Sequence, residues 1–358
     1  MSRTYIIAEA GVNHNGVAEN AFALVEAAVA AGADAVKFQT FKAENLVTQS
    51  AATAEYQQTA TGESSQYAML KRLELSHEIH FRLIEQCKKN NIDFLSTAFD
   101  HESLSFLLNE LKLTKLKIPS GEITNAPLVL AHAYSQADLI VSTGMATLQE
   151  VQDVLSVIAF GLIAGPKELP SREKFALAFA SATGKSALKS KVTLLHCTTE
   201  YPAPFNEINL RAMDTLAEIF QLPVGYSDHS EGIAVPTAAV ARGAILIEKH
   251  FTLDRNMPGP DHQASLEPQA LKAMVNAIRS VEASLGNGDK EPQPSEKKNM
   301  LVARKSLIAA KDIHASDVFS PDNVAVKRPG GGISPMSYWQ LIGTSATKDI
   351  KAGEYIDV

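Results

Sequence analysis

Only two cysteines, Cys87 and Cys197, occur in 358 residues. A disulfide framework is therefore excluded, and a cysteine-rich zinc site lacks ligands. Cys87 falls on an amphipathic stretch and reads as a packing residue. Cys197 follows His196 at the end of an apolar run, where it either lines a site or packs in a core. Long hydrophobic runs are missing too. Stretches such as 27–31 and 156–165 fall well short of the ~20 apolar residues a membrane span requires, so no membrane partner is expected. The opening Met1-Ser2-Arg3-Thr4 carries no apolar core or small-residue cleavage site, which points to a cytoplasmic protein. Nor is there an excess of positive charge. Lys and Arg number 33 against 40 Asp and Glu, for a net charge of −7. Broad nucleic-acid binding rests on phosphate neutralisation and is disfavoured. A small anionic substrate remains open, because local lysines can dominate a pocket.

What is present is an ordinary globular balance, with 45% apolar and 20% charged residues, arranged in a strict alternation. Short apolar, β-branched runs stand at Tyr5–Ala8, Ala35–Gln39, Phe94–Thr97, Lys115–Ile118, Leu139–Ser142, Val192–His196, Pro223–Tyr226 and Ile245–Lys249. Helical periodicity lies between them, at Ala18–Ala31, Ile79–Asn90, Ser103–Leu111, Leu148–Ala159, Leu210–Phe220 and Ile233–Arg242. Continuous apolar runs suit parallel strands covered on both faces. Eight such units over residues 1–285 predict an α/β fold, a (β/α)8 TIM barrel. A doubly wound sheet is the rival, but the first turn, Glu9 to Gly16, lacks the Gly-x-Gly-x-x-Gly pattern. Phe160–Lys191 is longer than one connection needs and reads as a surface elaboration containing a helix, Arg172–Ala180. Residues 286–300, rich in turn formers, form a linker, with a helical start at Ser295–Asn299. Residues 301–358 form a small β-rich domain with strand-like pieces at Ser306–Ala309, Val324–Lys327 and Tyr355–Val358. Alone it has too little chain to bury much core, so it is expected to pack on a barrel.

In such barrels the chemistry collects at the C-terminal ends of the strands. Polar residues accumulate there: Glu9; Lys37 and Gln39; Thr97; Lys117, Ser120 and Glu122; Ser142; Thr198, Thr199 and Tyr201; Ser227 to His229; Glu248 to His250. Lys37 and Lys117 sit in otherwise apolar strands, where an ammonium is costly without an anion. A bound phosphate or carboxylate, aided by the neighbouring hydroxyls, would supply one. An internal ion pair to Glu9 or Glu122 and a Schiff-base lysine are the alternatives. His229 and His250 end adjacent strands and suit a divalent metal, unless they are simply hydrogen-bonded histidines. Asp228 and Glu248 are expected to orient the two rings. The turn-rich loop 256–262 ends in the carboxylate of Asp261.

The segments Ala8–Gly16, Val36–Thr40, Lys117–Glu122, Ser142–Met145, Leu195–Pro202, Tyr226–His229 and Glu248–Phe251 resemble, in order, the motif set of the sialic acid synthase family. Val326–Gly332 is similar to that family's C-terminal antifreeze-like (SAF) domain. The resemblance implies condensation of phosphoenolpyruvate with N-acetylmannosamine and water, giving N-acetylneuraminate and phosphate by C–O cleavage. Legionaminic acid synthases, which use 2,4-diacetamido-2,4,6-trideoxymannose, share these motifs and are the alternative; a Schiff-base pyruvate lyase is a more remote one. By resemblance, His229 and His250 hold a divalent metal, Mn²⁺ first, with Mg²⁺ or Co²⁺ behind it. Lys37, Thr97, Lys117, Ser120, Ser142 and Ser227 would cradle phosphoenolpyruvate. Glu9, Gln39, Glu122, Tyr201, Asp261 and Arg328 would serve the sugar, with Glu9, Glu122, Lys37 and Lys117 as the catalytic set. The resemblance also implies a domain-swapped homodimer in which Arg328 reaches the partner's sugar site. Two departures stand out. Thr198-Thr199 occupies a pair in which many relatives carry asparagine, and the Phe160–Lys191 insertion is longer than usual.

Overall fold

The computed structural model describes residues 3–54, 57–58, 61–164 and 168–357. Residues 165–167 of the expected insertion, and Val358 of the expected final strand, lie outside them. The chain divides into two compact units, Met1–Gly286 and Asn287–Val358.

The first unit is a closed barrel of eight parallel strands in chain order, so the expected TIM barrel is present. The strands are β1 (Tyr5–Gly11), β2 (Ala35–Thr40), β3 (Asp93–Ala98), β4 (Lys115–Ile118), β5 (Asp138–Ser142), β6 (Val192–His196), β7 (Val224–Asp228) and β8 (Leu246–His250). β1 pairs with both β2 and β8, which closes the ring. Successive residues of a strand face opposite sides. The inward positions nearest the N-terminal end, Ile7, Ala35, Leu95, Ile140, Leu195 and Leu246, form an apolar plug separate from the larger core outside the barrel. β7 adds no side chain to this plug. A Cβ on Gly225 would lie 2.4 Å from Leu246 O and 2.7 Å from Leu195 Cδ2. Two residues further along, the same inward faces carry Glu9, Lys37, Thr97, Ser142, Cys197, Ser227 and Glu248.

Helices cover the outside. Ala18–Ala31 has the expected bounds; it buries Ala21, Leu24, Val25 and Ala28 at helical spacing and ends at Gly32, whose φ of 82° suits a glycine. The helix expected at Ser103–Leu111 starts earlier, at His101, because the Asp100 carboxylate accepts from Ser103 N–H as its cap. Its second half is a π turn, Phe106–Glu110. Ala126–Tyr134 is a helix that the periodicity did not single out; its composition is apolar almost all round, so it shows no stripe. The elaboration after Leu148–Ala164 folds as two helices, Arg172–Ala180 and Ala182–Lys191, and the Phe175 ring packs 5.2 Å from that of Phe160. Among the described residues no helix is long and apolar enough to cross a membrane.

The second unit begins with helix Pro294–Ala303, which extends the expected helical start, and pairs β9 (Ser306–Ala309) with β10 (Val324–Lys327) antiparallel. Tyr355 makes only an isolated bridge to Ile308. Contrary to expectation, this unit buries a core of its own, built on Leu307, Ile313, Phe319, Val324, Leu341, Ile350 and Ile356.

Two barrel histidines away from the polar rim make stability depend on pH. His80 lies between Thr40 Oγ1 and the Ser76 carbonyl, and His132 Nδ1 donates to Leu128 O. Burial lowers each ring to about 4. Below pH ~6.5 the unfolded chain takes up protons that the folded chain refuses, so stability held above that pH is lost as pH falls towards 4, at ~1.4 kcal/mol per pH unit for each ring. Urea unfolding between pH 7 and 4 is expected to show this decline, with a shallower slope for His132→Gln. Identical slopes for both proteins would contradict the assignment.

Candidate active site

The C-terminal ends of the strands enclose a cavity of 310 Å³. The barrel residues expected to bind the substrates or the metal all line it: Glu9 from β1, Lys37 and Gln39 from β2, Thr97 from β3, Lys117, Ser120 and Glu122 from β4 and its turn, Ser142 from β5, Tyr201 after β6, Ser227 from β7 and His229 just past it, His250 from β8, and Asp261.

A buried lattice of four charges forms the floor. Lys37 Nζ lies 2.7 Å from Glu9 Oε2 and 3.7 Å from Glu248 Oε2, and donates to Thr97 Oγ1 at 2.9 Å. Lys117 Nζ donates to Glu248 Oε1 at 2.7 Å, and Ser227 Oγ donates to the same oxygen at 2.8 Å. Both lysine side chains are only 4% exposed. The two carboxylates differ because their surroundings do. Burial lifts the Glu9 carboxyl to about 7 even against Lys37. Burial also opposes ionisation of Glu248, but Lys117 and Lys37 together outweigh it and hold that carboxyl below its usual range. Burial would likewise weaken the Lys37 ammonium, yet Glu248 and Glu9 raise it. The ion-pair alternative at Lys37 is thus what the structure contains. At Lys117 the partner is Glu248 rather than Glu122, whose Oε2 accepts from Asn125 Nδ2 instead. Glu248, expected to orient an imidazole, serves the lysines.

Hydroxyls gather at one side. Gly144 N–H donates to Ser120 Oγ, which lies 3.2 Å from Cys197 Sγ. Cys197 therefore borders this polar corner. A Cβ on Gly144 would stand 2.3 Å from Thr199 Oγ1 and 2.8 Å from Ser120 Oγ, so only glycine fits there. Thr199 lines the cavity as well.

The two imidazoles stand across the cavity with ring centroids 5.5 Å apart. His229 Nδ1 lies 2.5 Å from the Thr198 carbonyl oxygen, which can only accept, so the proton is on Nδ1 and Nε2 offers its lone pair, here to the Tyr201 hydroxyl at 3.2 Å. Burial lowers His229 to about 4. His250 is driven well below its usual value by burial and by His229, and its buried Nδ1 has no hydrogen-bond partner, with Asp261 Oδ2 4.0 Å away. Neutral rings with lone pairs to offer fit a divalent metal. No group of three or more His, Cys, Asp or Glu side chains that could hold a metal occurs among the described residues; the donors that the cavity presents together are the two imidazoles.

Asp228 and Lys249 do not orient these rings directly. They face outward from β7 and β8, where Lys249 Nζ lies 2.6 Å from Asp228 Oδ2 and also donates to the Ser230 carbonyl. Asp228 Oδ1 accepts from Tyr226, and from the Ser230 hydroxyl and N–H. This cluster ties together the strand ends that carry His229 and His250. Sequence reasoning also missed the wall formed by Leu46, Gln57, Gln66, Met69, Leu70 and Leu73. The 66, 69, 70, 73 spacing of a helical face was its available signal. Arg328 lies in the second unit, exposed, with Nε donating to Ala303 O at 3.0 Å.

The NeuB family model matches residues 24–290, and that of the SAF domain matches 304–357. The chain belongs to the NeuB family. It is 49% identical to the N,N'-diacetyllegionaminic acid synthase of Campylobacter jejuni, with 99% of each chain covered. It is 45% identical to the enzyme of the same name from Legionella pneumophila, covering 98% of this chain and 92% of that one. The structure of N-acetylneuraminic acid synthetase from Leptospira borgpetersenii superposes with a TM-score of 0.67 at 33% identity, over 84% of this chain and 90% of that one.

In this NeuB-family chain, Lys249→Met would leave the Asp228 carboxylate buried and unpaired, a change that costs about 3–5 kcal/mol. Adding Asp228→Asn to it should recover part of the loss. Denaturant unfolding of the single and double variants measures both; a single variant as stable as the parent would rule the pair out as a structural tie.

Proposed function

We propose that this chain is an N,N'-diacetyllegionaminate synthase, condensing phosphoenolpyruvate with 2,4-diacetamido-2,4,6-trideoxymannose and water to give the nonulosonate and phosphate. The carrying observation is the cavity itself, in which two buried ammonium groups, a hydroxyl-rich corner and two neutral imidazoles converge. N-acetylneuraminate formation from N-acetylmannosamine, the first expectation from the motifs, moves to second place. Two relatives at 49% and 45% identity over nearly full length both bear the legionaminate name.

Lys37 and Lys117 bind the anionic groups of phosphoenolpyruvate, with Thr97, Ser120, Ser142 and Ser227 donating hydrogen bonds. Gln39, Tyr201 and Asp261 hold the sugar. A divalent metal held by His229 and His250, Mn²⁺ in the first place, would supply Lewis-acid polarisation of the acceptor's aldehyde oxygen. The methylene carbon of the enol forms a bond to the aldehyde carbon as the C=O π bond opens and its oxygen takes up a proton, later replaced by the one removed from water, which leaves positive charge at C2. Glu9 and Glu122 stabilise that charge. Water then adds to C2, and breaking the C–O bond to the phosphate releases phosphate and leaves the keto acid. With its carboxyl lifted to about 7, Glu9 is suited to take the proton from the water. The same reading makes the protein a cytoplasmic, domain-swapped homodimer with Arg328 against the partner's sugar. The exposed Trp339 and Met336, at 82% and 86%, suit burial in such a dimer.

Purified protein supplied with phosphoenolpyruvate and each sugar is expected to release phosphate fastest with the diacetamido sugar. Release with N-acetylmannosamine alone would restore the first expectation. EDTA should abolish turnover and Mn²⁺ restore it, whereas borohydride with pyruvate should label no lysine. A labelled Lys37 or Lys117 and indifference to EDTA would identify a Schiff-base lyase instead. His229→Ala or His250→Ala should lose Mn²⁺ binding, read by electron paramagnetic resonance, together with turnover.

A further inference from the structure

The strand ends do not line the cavity alone. Further lining comes from the connection between β2 and β3, which runs from residue 41 to 92 and is far longer than a single covering helix needs. Within it, helix Gln66–Leu73 sets Gln66, Met69, Leu70 and Leu73 along one face, the i, i+3, i+4, i+7 stripe, and all four line the cavity. Ala68, Lys71 and Arg72, on its other faces, are exposed. Met69 and Leu73 pack with Val12 and Phe41 in a small core separate from the barrel's, and Leu46 and Leu70 are only partly buried against it. Packing uses up nearly all of Met69 and Leu73, and Leu70, half-buried, is the apolar side chain of the stripe left to face the substrate space. Gln57 and Gln66 add two carboxamides to that wall.

The cavity is thus two-faced, with charges and imidazoles on the floor and alkyl groups plus carboxamides on the wall. The floor suits the reacting groups of both substrates. The wall is left for the end of the sugar that does not react. A hydroxyl pressed against its alkyl groups would lose its hydrogen bonds to water without replacement, whereas a methyl loses nothing. A carboxamide pairs with an acetamido group through matched donor and acceptor.

We infer that helix Gln66–Leu73, with Leu46 and Gln57, is the specificity wall of the site, reading the deoxygenated, doubly acetamidated end of the acceptor and so setting the choice of sugar. This rests on the proposed synthase reaction and adds to it the residues that discriminate. An apolar contact of this kind separates a methyl from a hydroxyl-bearing competitor by about 10- to 100-fold.

The test compares kcat/KM for 2,4-diacetamido-2,4,6-trideoxymannose and for N-acetylmannosamine, by phosphate release on the same preparation of full-length enzyme. Their ratio does not depend on how much of a variant is folded. Leu70→Gln is expected to lower the ratio about tenfold through the KM of the diacetamido sugar, and Leu70→Met to restore it. Gln66→Leu should raise that KM while the KM for phosphoenolpyruvate stays in place. An unchanged ratio in Leu70→Gln would overturn the wall as the discriminator, as would an equal fall for both sugars. A parent enzyme that turns over neither sugar would instead remove the synthase reading, and it is seen before any variant is made.

Discussion

Eight parallel strands that close on themselves must send every second residue into the barrel, and the interior accepts only what fits there. The site grows from this constraint. Ile7, Ala35, Leu95, Ile140, Leu195 and Leu246 plug the barrel at one level. One step of two residues along the same strands brings Glu9, Lys37, Thr97, Ser142, Cys197, Ser227 and Glu248 to a second level. A further step brings Gln39, Thr199, His229 and His250 to the mouth. The apolar plug excludes water from below, so the charges above it act in a poorly screened space.

That arrangement is stable only because the charges compensate one another. Each buried ion alone would cost several kcal/mol in lost hydration. Here two ammonium groups face two carboxylates, and Glu248 touches both lysines while Glu9 sits close to one. The same asymmetry separates their proton affinities, which leaves one permanent anion and one carboxyl able to exchange protons near neutrality. On the outward face, Asp228 and Lys249 repeat the solution with a different purpose, joining β7 to β8 behind the imidazoles. Burial keeps both rings neutral, the state in which a histidine can donate a lone pair to a cation.

Much of this was legible in the chain. The strands and the barrel followed from continuous apolar runs at regular spacing, and the candidate residues from their position just past those runs. Partners were harder. Glu248 stands two residues before His250 on the same inward face, so along the chain it looks like the histidine's neighbour; only closure of the ring brings Lys37 and Lys117 to it. Lys249 counts along the chain among the polar residues of a strand end, yet it turns outward and closure of the sheet buries it completely. Helix Gln66–Leu73 carries a clear stripe, but nothing in its sequence says that the stripe borders a cavity rather than a core.

The inferred choice of sugar shows the same division, because motifs shared across a family encode its common chemistry, while the wall that we infer to discriminate is drawn from a long connection. The sequence by itself determined the kinds of element, their order and the chemical groups at each strand end, since these depend on residues near one another in the chain. Only the tertiary structure decided which groups meet: the Glu9–Lys37–Glu248–Lys117 lattice, the paired imidazoles and the apolar wall join residues up to 239 positions apart, as Glu9 and Glu248 are. Contacts at that range exist only once the ring of strands has closed.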